Sequence, residues 1–233
     1  MEIFPKKLII AVGVISVLLS GYFIIFGLSY GPILTSDGER EIAYAIALRE
    51  LNFNIFRYSI EAEKIAGISY SVPLQFYLIF VTLLSIIEYL FGPAWLTILI
   101  ILNGFFQAFS SSIILLVSGW LGGTFLIAII ASLLILLFDS YQWVAMSQSE
   151  PLFIAFSTAA IASAAMTVNT FNKPKSLFFW GLAILLTLLA IFTRPTWPPL
   201  VFTVLFMPIL IRGMDHKPLN NVVRTWFIFF GTG

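Results

Sequence analysis

Cysteine is absent from the 233 residues, which excludes disulfides, thiolate-ligated zinc and thiol nucleophiles. Histidine is almost absent. Its one copy, His216, sits in the basic stretch "RGMDHK" and reads as a solvated side chain, not a catalytic one. Charge is the third scarcity. Asp, Glu, Lys and Arg make up 10% of the chain and form no basic stripe, which excludes nucleic acid as a partner. The net charge of +1 points to no partner at all. What fills the chain is apolar: 60% of it is hydrophobic, more than a soluble domain of this length can bury, so lipid is the solvent for most of it. No internal repeat and no low-complexity tract interrupts the pattern.

Apolar runs lie near residues 8–28, 73–91, 95–117, 122–138, 151–168, 177–192 and 198–211, and an eighth begins near 225. Unpaired backbone groups are too costly in lipid for anything but helices to span here. The first run is long for a signal-peptide core and lacks a clean cleavage site, so it reads as a retained span. The last run ends at Gly233, and the expectation is a single transmembrane module over 1–233 that is cut short at its C-terminus. Loop charges bear on the run at 73–91. With Lys6 and Lys7 in the cytoplasm, a spanning 73–91 puts Lys173, Lys175, Arg212, Lys217 and Arg224 outside, whereas a flat one brings them inside. Gln75, Thr82, Ser85 and Tyr89 also share one stripe of that helix. Residues 30–94 then form one outer loop with surface helices. The alternative, an ordinary span carrying a few polar residues, is about as well supported by hydropathy alone.

On that map three polar stretches share the outer surface: "SDGERE", "QSEP" and "TRPT". Rare charges at membrane ends mark sites or anchors. "SDGE" fits a capping box, with Ser36 capping a helix and Glu39 reaching back. Asp37 then lies in the first turn, where the dipole favours a carboxylate. Such a residue can accept a proton from a hydroxyl or help hold a divalent cation, and it can equally be a plain helix start. Glu150 precedes Pro151 and caps the next inward span, with or without a further role. Arg194 ends an outward span before Pro195. It complements the dipole there, and its planar guanidinium also suits a lipid phosphate. Glu88 snorkels or pairs with the outer loop, and Asp139 reads as an interfacial group. Asn103 and Gln107 are the strong mid-span amides, of the kind that bond between helices. Trp95, Trp143, Trp180 and Trp197 read as an interface belt.

An acidic motif after span one, a flat helix opening with proline ("SVPLQFYLIFVTLLSIIEYLFGPAW"), then "SQSEPLF" and "LAIFTRPT" occur in that order. Over residues 8–211 this resembles the GT-C superfamily of polyprenyl-phosphate-sugar-dependent glycosyltransferases, on the branch of the protein O-mannosyltransferases and lipid A aminoarabinose transferases. The resemblance implies an all-α, polytopic transmembrane fold with juxtamembrane amphipathic helices in the first outer loop. It implies an integral membrane protein in the plasma membrane of a prokaryote, N-terminus cytoplasmic. By position it makes Asp37 the catalytic aspartate, with Glu150 as the acidic partner and Arg194 at the lipid phosphate. Glu39, Arg40 and Tyr70 fall to substrate binding, and Asp37 with Glu150 to a divalent cation (Mg or Mn) if one is used. Its partners would be a polyprenyl-phosphate-linked sugar, a protein, lipid or glycan acceptor, and membrane lipid. The sequence departs from the family in "YSVP", where Tyr70 and Pro73 stand, and in the turn "SGWLGG", which lacks an Arg pair. Two other readings compete: a transporter or flippase of a lipid-linked substrate, and a non-catalytic assembly fragment.

Overall fold

The computed structural model describes residues 6–68, 74–120, 142–169, 174–195 and 198–214. The expected span at 122–138, Tyr70, Asp139, Trp197 and His216 lie outside the described residues. What is described is helical: α1 Lys6–Tyr30, α2 Ser36–Glu50, α3 Ile55–Ala66, α4 Leu78–Phe91, α5 Trp95–Trp120, the short α6 Gln142–Ala145, α7 Glu150–Asn169, α8 Pro174–Ile191 and α9 Pro198–Met214. Three helical stretches are long and apolar enough to cross a membrane: Val12–Tyr30, Leu78–Leu116 and Glu150–Thr167. The second joins α4 to α5 through a 3-10 turn at Gly92–Ala94, where Gly92 takes φ +51° ahead of Pro93. Ser176–Ile191 of α8 is apolar but shorter.

The outward faces are those of a protein in lipid. Val17 is 72% exposed, Ile25 71% and Leu177 78%, surfaces that water would not tolerate over whole helices. Hydroxyls within the helices are satisfied locally: Ser16, Ser110, Ser111, Ser163 and Thr187 each donate to a carbonyl one turn back.

Small residues let the helices approach. In α1 and α5, Val12 packs by Leu115, Ser16 hydrogen-bonds Ser112, and Phe23 packs on Ile100 and Ala108. A Cβ on Gly104 would sit 2.7 Å from Ile24 Cγ1, so only glycine allows this approach. The two helices are therefore antiparallel, and the end of α1 lies beside the start of α5. Alanines 160, 164, 183 and 190 join α7 to α8 in the same way, with Leu200 and Val204 of α9 packed on them. Glu150 at the start of α7 meets Arg194 just past α8, so this pair is antiparallel too.

Residues 31–94 thus leave and rejoin the bundle at one end. α4 packs there through Phe80, Val81, Leu84 and Ile87, against Tyr44, Ala45 and Leu48 of α2, Leu99 of α5 and Leu152 of α7. Ile79 N donates to Phe192 O at 3.0 Å, Ser85 Oγ donates to Ala45 O, and Arg49 pairs with Glu88 at 2.7 Å. The expected polar stripe on this helix is split. Gln75 precedes it, Ser85 is fully buried against α2, and Tyr89 is 70% exposed. Ser85 is spent on a neighbouring helix, a use that periodicity cannot distinguish from facing water.

The absence of native cysteine makes sidedness easy to read. Single cysteines at Leu34 and Ala94 should react with an impermeant maleimide from the same side of sealed vesicles. Labelling from opposite sides would contradict this arrangement.

Candidate functional site

The site is assembled where α2 begins. Thr35, in extended backbone (φ −106°, ψ 162°), is the N-cap: its Oγ1 accepts from Gly38 N at 3.0 Å. The expected capping box does not form: the cap lies one residue earlier, and its third helical residue is Gly38. Ser36 is the first residue of the helix, and Glu39 is exposed, its amide donating to Thr35 O. Thr35 is also tied outward, since Gln148 Nε2 donates to Thr35 Oγ1 at 2.6 Å. Threonine wins the cap because its hydroxyl serves both bonds at once.

The segment that supplies Gln148 straps α2 down. Ile33 N donates to Ala145 O at 2.8 Å and Ser147 N to Ile33 O at 3.3 Å, one isolated parallel bridge. Asn103 of α5 holds the strap from below, donating from Nδ2 to Met146 O at 3.1 Å. Gly38 faces Ser147 so closely that an added Cβ would lie 2.5 Å from the Ser147 backbone oxygen. A glycine in a first helical turn costs helix stability, and this close approach is what it gives in return.

Of the residues expected at the site, Asp37 and Arg40 pair with one another along α2, both partly exposed. Such a pair contributes little to stability. Arg194 pairs with Glu150, which is 8% exposed. Glu150 is thus the first residue of α7 and directs its carboxylate to the arginine, where the sequence suggested a cap. Arg194 N donates to Ala190 O at 3.0 Å, fixing the guanidinium just beyond α8. These residues share one end of the bundle. Tyr70 lies outside the described residues.

The residue that sequence reasoning passed over is Glu41. One turn beyond Asp37, it is 3% exposed, and its Oε1 accepts from Ser149 Oγ at 3.0 Å. Burial pushes its carboxyl up from the usual 4.5 to about 8, while the Ser149 hydrogen bond, then Arg194 and Arg40, pull it back only in part. Glu41 is therefore a neutral acid near pH 7. Glu41 Oε2, Glu150 Oε2 and Ser147 Oγ are all buried without a hydrogen-bond partner. The available signal was Gly38 itself: a glycine in a charged helical turn marks close packing, and the next inward position is then Glu41.

A divalent cation on Asp37 and Glu150 does not suit this arrangement. Each carboxylate faces a guanidinium, and among the described residues no three His, Asp or Glu side chains converge. No family model, no curated protein and no solved structure matches the chain.

Two outcomes follow. Gly38→Ala should lower stability by about 1–3 kcal/mol through the clash with Ser147, read as a lower Tm in detergent. For Glu41 the folded state holds its proton up to about pH 8 and the unfolded state only to 4.5. Its contribution is thus complete below 4.5 and lost as pH rises through 8. Wild-type minus Glu41→Gln stability should fall across that window; a flat difference would contradict the buried neutral acid.

Proposed function

We propose that the chain is a membrane glycosyltransferase of GT-C type that moves a sugar from a polyprenyl-phosphate donor to an acceptor hydroxyl, with inversion. The observation that carries this reading is that a half-exposed aspartate, paired with Arg40, shares one end of an apolar helical bundle with the partly buried Arg194–Glu150 pair. The sugar-bearing end needs water and polar groups, the isoprenoid tail needs lipid, and this end adjoins both.

In this reading the donor's tail lies along the apolar helix faces and its phosphate reaches Arg194. Asp37, half-exposed at the start of α2, faces the acceptor. Arg40, paired with Asp37, contacts the substrates together with Glu39 and Tyr70. Asp37 takes the hydroxyl proton as the acceptor oxygen attacks the anomeric carbon. The new C–O bond forms as the bond to the phosphate oxygen breaks, and the electron pair leaves with the lipid phosphate. Arg194, held in place by Glu150, stabilises the charge that grows there, an effect strongest in a dry site. The reaction face is the non-cytoplasmic side, with the N-terminus in the cytoplasm of a prokaryote.

One observation favours transport instead. Gln107 of α5 is 1% exposed, and both its amide atoms lack a hydrogen-bond partner. Transporters place such groups at mid-membrane. Flux of a lipid-linked sugar in vesicles without sugar transfer would favour that reading.

The direct test is transfer from a polyprenyl-phosphate sugar by the full chain. Asp37→Asn should reduce kcat by about 10²–10⁴-fold, the range for losing a general base. Undiminished transfer would remove Asp37 from the mechanism.

A further inference from the structure

We propose that Glu41 is a positioning residue for the phosphate site: beside Arg194, it leaves that guanidinium to the donor phosphate while it is protonated and competes for it once ionised. The proposal rests on the glycosyl-transfer reading for the identity of the phosphate. It does not make Glu41 a base, since the carboxyl is sealed from substrate and solvent.

The geometry carries the argument. Glu41 projects from the inner side of α2 into the space between the strap and the end of α8, where Ser149 holds its Oε1. Its Oε2 is buried and has no hydrogen-bond partner. Arg194 is engaged by one carboxylate, Glu150, and lies close enough to Glu41 to act on its ionisation. The other groups around Glu41 are few. Its own helix offers Asp37 and Arg40, already paired together. On α4, Ser85 is bonded to the α2 backbone at Ala45 and Glu88 is taken by Arg49. The charge of the Glu41, Glu150 and Arg194 group is therefore zero when Glu41 is neutral and −1 when it is ionised. A phosphodiester bearing one negative charge is accepted by the first state and repelled by the second. Burial holds the first state at neutral pH.

A purely packing role for Glu41 is the alternative, and the isosteric glutamine separates the two. The probe is a short-chain polyprenyl phosphate, bound to the full chain in nanodiscs between pH 7 and 9. That range lies above the second ionisation of a phosphate monoester, near pH ~6, so the probe's charge is constant. Wild-type Kd should rise about tenfold over the range, as one ionisation near 8 requires, and Glu41→Gln should bind with no such change. Ser149→Ala removes a hydrogen bond that favours the ionised form, so its loss of affinity should begin at higher pH. In transfer assays, kcat/KM for the donor should fall along the same course.

A Glu41→Gln protein with the wild-type pH dependence overturns the proposal, and so does a wild type whose Kd is flat. Should Glu41→Gln fail to fold, an unshifted Ser149→Ala profile overturns it equally. A chain that shows the expected binding behaviour but transfers no sugar refutes the glycosyl-transfer reading and leaves the positioning role standing.

Discussion

The contact between the first turn of α2 and the strap at 145–150 orders everything else at this end of the molecule. It is built from one backbone bridge, one glycine and two side-chain hydrogen bonds, with Asn103 of α5 holding the strap from its other side. Without Gly38 against Ser147, α2 would stand off the bundle by the width of a methyl group. Glu41 would then be hydrated and would ionise like any carboxylate. Arg194 would keep Glu150 as its partner, but would lose the neutral wall that limits the charge around it. A close approach of backbone to backbone thus bears on the protonation of a side chain three residues away.

The bundle beneath has the opposite logic. Its helices come closest at alanine, glycine and serine, and many of their bulky residues face outward. Lipid gives no hydrophobic drive for one helix to seek another, so close van der Waals contact and local hydrogen bonds hold the pairs. At the end where α2 lies, four ion pairs form: Arg40 with Asp37, Arg49 with Glu88, Arg57 with Glu61, Arg194 with Glu150. Neutralised pairs are what a juxtamembrane surface can carry at small cost, and they leave Glu41 as the buried carboxyl without a direct cationic partner.

Much of this was readable from the residues. Run lengths and the absence of polar interruption dictate helices, and all the described elements are helical apart from the single bridge at Ile33. The order of "SDGERE", "QSEP" and "TRPT" marked the polar end, and the structure brings Glu150 and Arg194 into contact there. Other features were not legible. Thr35 and Ser36 are equivalent as sequence-level caps, and only the reach of Gln148, over a hundred residues away, selects the first. Asp37 and Glu41 are both acids on a charged helix. Which of them turns inward depends on where the strap lies, and the local hint is Gly38, three residues before Glu41. Ser85 likewise counts as a polar position facing water until α2 covers it.

The claim most in need of a direct test is that α2 is docked on the strap. Ile33, just ahead of α2, and Met146 of the strap pair across a parallel backbone bridge in a chain without native cysteine, which holds their backbones at strand spacing. Cysteines at both positions should form an intramolecular disulfide under mild oxidant in native membranes, joining two fragments after cleavage at a protease site placed between them. Efficient oxidation with the fragments still linked is the expected result. Fragments that separate, with both thiols still reactive, would contradict the account.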